Sequence, residues 1–231
     1  SGKKQYKTKA TDLSIKAAKK ANKKALITMK RGKTRLSLAL KGKKIRAAKA
    51  KASNPNKSAY ADVRNENTVT YKKVRKNTTI SYDIYPEKVQ EIVKISKKQK
   101  RKPLSFTINA GKLKVKIKGR KIYFKDKKGK TKFTRLSTKI SDANGVTTTK
   151  AKLSYNKKKK TLQVTPNKKW WNSKKRKFPM EIRTTCLTDK HSRDVKVGAA
   201  YTGTPDSNYG YDKALLLQAN KCVAFTKMST L

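Results

Sequence analysis

Apolar and cationic side chains alternate without a break at Lys112-Leu113-Lys114-Val115-Lys116-Ile117-Lys118. A period of two is strand periodicity, because successive strand side chains point to opposite faces. Leu113, Val115 and Ile117 are therefore predicted to share one buried face, with Lys112, Lys114, Lys116 and Lys118 in water. Similar short patterned runs occur at residues 69–74, 79–85, 89–95, 104–108, 122–124 and 132–136, then at 148–155, 161–165 and 178–184. Turn chemistry separates them at Tyr85-Pro86-Glu87, Asn109-Ala110-Gly111, Asp126-Lys127-Lys128-Gly129 and Asp142-Ala143-Asn144-Gly145. Upstream, residues 25–29 and the period-two Leu36, Leu38 and Leu40 flank Arg31-Gly32-Lys33 as a hairpin that ends at Gly42. Residues 48–58, with Asn54-Pro55-Asn56, read as a polar loop. Many short strands at this spacing predict an all-β fold, an antiparallel β-sandwich or barrel, with the sandwich as the expectation.

The remaining segments divide the chain. Residues 1–24 carry lysine among alanine, threonine and asparagine without a helical stripe, and are expected to be a basic, mobile arm. Residues 25–185 are expected to form the sandwich, 186–193 a linker, and 194–231 an incomplete second β module too short to close a core alone. Charge changes the picture: 64 Lys+Arg stand against 13 Asp+Glu, a formal net charge of +51. Such a balance suits a disordered polycation or a nucleic-acid-binding protein. Hydrophobic residues still make up 35% of the chain, including ten Tyr, five Phe and two Trp, and their patterned spacing argues for a folded body with a cationic coat. No run reaches the roughly 18 apolar residues of a membrane span. The start, Ser1-Gly2-Lys3-Lys4, lacks the apolar core of a signal peptide, which leaves open a leader already removed or an artificial first residue.

A family resemblance rests on an ordered series of segments. They are Tyr82-Asp83-Ile84-Tyr85, residues 89–95 and 119–126, Ser141-Asp142-Ala143-Asn144-Gly145, residues 162–166, then Trp170-Trp171 leading to Arg176-Lys177-Phe178-Pro179-Met180-Glu181-Ile182. This order resembles the β-rich region that precedes DNRLRE modules in bacterial wall-associated and Rhs-type surface proteins, and it covers roughly residues 60–185. Residues 194–197, Asn208-Tyr209-Gly210 and residues 215–217 resemble the opening of a DNRLRE module itself. The resemblance implies an extracellular or cell-surface location in bacteria and an association with carbohydrate. The C-terminal piece, too short to close such a module, is expected to dock on the first domain, to pair with another chain or to be the stump of a longer surface protein, the last being the expectation.

No catalytic constellation is apparent, so a non-enzymatic protein without cofactor or metal is expected. His191 is the one histidine, in the polar stretch Asp189-Lys190-His191-Ser192-Arg193-Asp194, with no placed nucleophile or orienting group. Cys186 and Cys222 lack metal-ligand spacing. They are either a disulfide, worth roughly 4 kcal/mol in the chain-entropy model, or free buried thiols. Trp170 and Trp171, among Lys168, Lys169, Lys174 and Lys175, suggest stacking on sugars or nucleobases, but adjacent strand-like side chains would send one of them into the core.

The candidate polyanion contacts are the basic runs at predicted hairpin tips. These are Lys97, Lys98, Lys100, Arg101 and Lys102; Lys157, Lys158, Lys159 and Lys160; and Lys174, Lys175 and Arg176. Solvation alone accounts for each run singly. A net charge of about 2–8 already suffices for solubility in a small domain, so the excess points to an anionic partner. Lysine predominates, which fits diffuse attraction better than base readout. The expected partners are an anionic cell-wall polymer or acidic glycan, the remainder of a larger surface protein, and nucleic acid non-specifically at low salt. A shell or delivery segment of an Rhs-type toxin and a nucleic-acid-binding protein are the alternatives.

Overall fold

The computed structural model describes residues 13–22, 25–42, 45–53, 68–85, 88–99 and 101–188, and the backbone of residues 5–7. In chain order the first strands are β1 Gln5–Lys7, β2 Leu13–Ala18, β3 Ile27–Arg31, β4 Thr34–Lys41, β5 Ala50–Ser53, β6 Thr68–Arg75, β7 Thr78–Ile84, β8 Lys88–Ile95 and β9 Leu104–Asn109. They are followed by β10 Lys114–Lys118, β11 Lys121–Lys125, β12 Thr131–Arg135, β13 Lys139–Ser141, β14 Thr147–Thr148, β15 Ala151–Asn156, β16 Thr161–Pro166 and β17 Met180–Thr188, with one short helix, α1 Lys168–Asn172. The strands form two antiparallel sheets. One has seven strands in the order β1-β2-β3-β4-β9-β16-β15; the other has ten, eight of them in the order β10-β11-β12-β17-β8-β7-β6-β5, with β13 beside β17 and β14 beside β13. The fold is an all-β sandwich.

Alternation builds this architecture. Leu36, Leu38 and Leu40 of β4 and Leu104, Phe106 and Ile108 of β9 face inward from the seven-stranded sheet, and Val89 and Val93 of β8 and Ile122 and Phe124 of β11 face inward from the other. All belong to one core cluster, and burial of such side chains stabilises by about 1.5–3 kcal/mol each. Two-residue loops close hairpins where a residue accepts positive φ: Gly32 at 52° between β3 and β4, and Gly119 at 57° between β10 and β11.

The 112–118 alternation emerges as expected in direction. Lys114, Lys116 and Lys118 are exposed, whereas Leu113, Val115 and Ile117 are half-buried and packed against the core. The complete burial expected of those three is not reached, because β10 is the edge strand of its sheet.

Two boundaries are corrected. Residues 13–18, assigned to a mobile arm, are β2, paired with β3 from Leu13↔Arg31 to Ala17↔Ile27. Leu13, Ile15 and Ala17 are each at most 1% exposed, the period of two of a strand rather than the stripe of a helix. At the other end, Cys186 and Leu187 belong to β17 and pair with Val89 and Lys88, so the linker does not begin at 186. Compactness divides the chain after Leu187. The expected β module at 194–231 lies outside the described residues. Smaller differences are β5, where a loop was expected, and the break of the 148–155 run into β14 and β15.

Candidate polyanion-binding surface

The β10–β11 hairpin sets a grid of cations on its outer face. The register places Lys114 opposite Lys125, Lys116 opposite Tyr123 and Lys118 opposite Lys121. The intervening Val115, Ile117, Ile122 and Phe124 turn to the core, so the five lysines and Tyr123 share the outward side. Along each strand neighbouring grid positions are about 6.7 Å apart, and the two strands lie about 4.8 Å apart. None of the five ammonium groups has an ion-pair or hydrogen-bond partner among the described residues. The nearest acid in sequence, Asp126, is occupied: Lys132 Nζ lies 3.4 Å away, and the Lys130 amide donates to its Oδ1 at 2.9 Å. Desolvation would raise the Asp126 pKa, but that amide and the Lys132 ammonium hold it below the ordinary value.

The basic runs separate into different roles. Lys97, Lys98 and Lys102 are exposed on the connection from β8 to β9, whereas Arg101 is half-buried and its Nη1 donates to the Pro166 carbonyl at 3.1 Å. Lys100 lies outside the described residues. The Trp171 indole N–H donates to the Gln99 carbonyl at 3.2 Å, which joins this connection to α1 and the following Lys174, Lys175 and Arg176 at one end of the sandwich. Lys157, Lys158, Lys159 and Lys160, all exposed, form the β15–β16 turn at the opposite end of β16. Arg176 is not a free surface cation. Its Nη1 donates to Asp142 Oδ2 at 2.8 Å, while Asp142 Oδ1 accepts from the Asn144 and Val146 amides at 3.1 and 2.9 Å and so shapes the turn.

The tryptophans are structural. They lie on α1 rather than a strand, capped by Asn167, whose side chain accepts from the Trp170 amide. Trp171 is buried and meets Phe178 edge-on, with centroids 6.2 Å apart. Trp170 is half-buried, with the Arg176 guanidinium 5.2 Å over its ring. The core-packing expectation holds for Trp171, and Arg176 occupies the ring of Trp170 where stacking on a ligand was the other possibility.

Polar chemistry inside the sandwich was not anticipated. Arg135 Nη2 donates to Glu91 Oε1 at 2.6 Å, and the Tyr82 hydroxyl donates to Glu91 Oε2 at 3.2 Å, all three groups buried. The Arg135 guanidinium also sits 5.3 Å over the Phe106 ring of the other sheet. Burial alone would lower the Arg135 pKa, yet the adjacent Glu91 carboxylate holds it above its ordinary value. Burial first, then Glu91, pushes the Tyr82 phenol well up. Cys186 is a free thiol in the same region, pushed up to about 12 chiefly by burial, and is thus an inert neutral group. Cys222, its suggested disulfide partner, lies outside the described residues, as does His191. Among the described residues no cluster of three His, Cys, Asp or Glu could hold a metal. No helix there is long and apolar enough to cross a membrane.

Fold and surface together define an antiparallel β-sandwich with a cationic exterior. No family model, no curated protein and no solved structure matches the chain.

Proposed function

We propose that this protein is a non-enzymatic structural or adhesive module of a bacterial cell-surface or secreted protein, and that it holds an anionic wall polymer or acidic glycan through its lysine coat. The observation that carries the reading is the fate of the acids. Within the described stretches the acidic residues are Asp83, Glu91, Asp126, Asp142 and Glu181. Each is engaged inside the protein: Asp83 by Thr68, Glu91 by Arg135, Asp126 by Lys132, Asp142 by Arg176, and Glu181 by Arg183 and Lys94. Little internal negative charge is left to offset the exposed lysines, so their self-repulsion is relieved by salt or by an external polyanion. The scarcity of arginine among the exposed cations supports loose, multipoint attraction over base-specific readout.

The test is a side-by-side titration of the full chain with wall teichoic polymer, an acidic glycan, RNA and duplex DNA at about 0.15 M salt, where the Debye length is roughly 8 Å. Binding to the wall polymer or glycan that weakens steeply with added salt is the expected result. Tight, sequence-selective nucleic-acid binding with negligible binding of the other two would overturn the reading.

A further inference from the structure

We infer that the outer face of the β10–β11 hairpin is the polymer-binding site, and that its occupant is a linear phosphodiester-linked polyol chain lying along the strands. The inference rests on the polyanion reading above and assigns it a place and a chemistry.

Protection of the sheet edge explains only part of this face. Lysines on an edge strand discourage pairing with another chain, which accounts for Lys114, Lys116 and Lys118 on β10. β11 is no edge, being paired to β10 on one side and β12 on the other, yet it adds Lys121 and Lys125 to the same face. Directly opposed like charges destabilise a strand pair, and here two such pairs occur in one hairpin, Lys114 with Lys125 and Lys118 with Lys121. A bound anion at each pair reverses the sign of that interaction.

The geometry and residue types select the anion. Every cation of the grid is lysine, which binds phosphate as a point charge and lacks the fork by which arginine grips phosphate and carboxylate alike. A chain running along the strands would meet lysines at intervals of about 6.7 Å, on the order of the separation of successive phosphates in an extended phosphodiester chain with a short polyol linker. A flexible chain with a polyol between phosphates can follow the twisted strands of the hairpin, whereas the phosphate rows of a rigid duplex wind about their own helix axis. Tyr123 is the single aromatic side chain of the grid, which provides no succession of rings for the bases of a single nucleic-acid strand.

The experiment compares two variants of the full chain that carry the same change in net charge. One combines Lys114→Gln, Lys116→Gln, Lys118→Gln, Lys121→Gln and Lys125→Gln. The other combines Lys19→Gln, Lys33→Gln, Lys51→Gln, Lys72→Gln and Lys76→Gln, five exposed lysines outside both the grid and the candidate basic runs. Soluble poly(glycerol phosphate) is titrated at several salt concentrations, beside oligo-dT and a heparin-type glycan, with circular dichroism to verify the fold. The first variant should lose about ten-fold or more in affinity at 0.15 M salt, and its log–log salt slope should flatten by roughly 3–4 at about 0.7 per lost contact. The second should stay within about three-fold of the parent. Equal losses in both variants would overturn the assignment of the site while leaving the polyanion reading intact. Failure of the parent to bind any of the three probes at that salt would overturn both. A grid-dependent preference for oligo-dT or for the heparin-type glycan would overturn the polyol-phosphate assignment.

Discussion

On the outer face of the seven-stranded sheet, Thr28 and Ser37 hydrogen bond across β3 and β4 at 3.0 Å, Lys41 Nζ donates to Thr161 Oγ1 at 2.8 Å, and Gln163 Nε2 reaches Ser105 Oγ at 3.4 Å. On the outer face of the β10–β11 hairpin, Lys118 faces Lys121 and Lys114 faces Lys125. Both surfaces are polar and both cover the same kind of apolar interior. The first is made mainly of short hydroxyl and amide side chains with partners within the sheet, with one opposed cation pair, Lys30 and Arg35, at the β3–β4 hairpin. The second consists of long cations whose partners must come from outside. A polar face that satisfies itself contributes to the fold, whereas a face left unsatisfied in charge is available for binding.

The comparison breaks first if the shared interior is disturbed. Replacing Arg135 by Met leaves Glu91 buried without its cation, and should cost about 3–5 kcal/mol in chemical denaturation, whichever outer face is probed. Loss under about 1 kcal/mol would mean that the pair is not held in the interior. Alkali should act on the same region. The unfolded Cys186 thiol ionises near pH 8.5, whereas the buried one stays protonated to about 12. The native state thus binds the extra proton over that window. Cys186 contributes stability below pH 8.5 that is lost at about 1.4 kcal/mol per pH unit as pH rises toward the folded value. A Cys186→Ala variant should lack this component, and an identical alkaline stability profile in variant and parent would contradict it.

The outer faces are separated by two smaller changes. Thr28→Val removes the hydroxyl pair with Ser37 and should destabilise by about 1 kcal/mol, with polymer binding unchanged. Lys121→Glu should do the reverse. It turns an opposed like-charge pair into an ion pair with Lys118, gaining about 0.2–1 kcal/mol of stability at low salt while weakening polymer binding. A loss of stability in Lys121→Glu would show that the grid is already neutralised within the protein.

Period-two alternation made most strands legible: residues 79–85, 89–95 and 104–108 anticipated β7, β8 and β9 within a residue or two of each boundary. β2 escaped because Leu13, Ile15 and Ala17 lie in a lysine-rich segment and end in a small residue, so the apolar signal is weak until tertiary pairing with β3 completes it. The grid was half legible. The alternation exposed Lys114, Lys116 and Lys118, but their meeting with Lys121 and Lys125 depends on hairpin register, which the pattern within one strand does not fix. The basic runs stood out in the sequence by clustering, yet Arg101 and Arg176 are committed to a carbonyl and a carboxylate that sequence proximity does not reveal. Glu91 and Arg135, 44 positions apart, gave no local sign of pairing.

Backbone amide resonances, followed while poly(glycerol phosphate) is titrated into the full chain at about 0.15 M salt, locate the bound polymer on the surface. The largest shift changes should fall on β10 and β11, with Thr28, Ser37, Ser105 and Gln163 little affected. Changes centred on the seven-stranded face, or spread evenly over every lysine-bearing loop, would contradict a site on this hairpin.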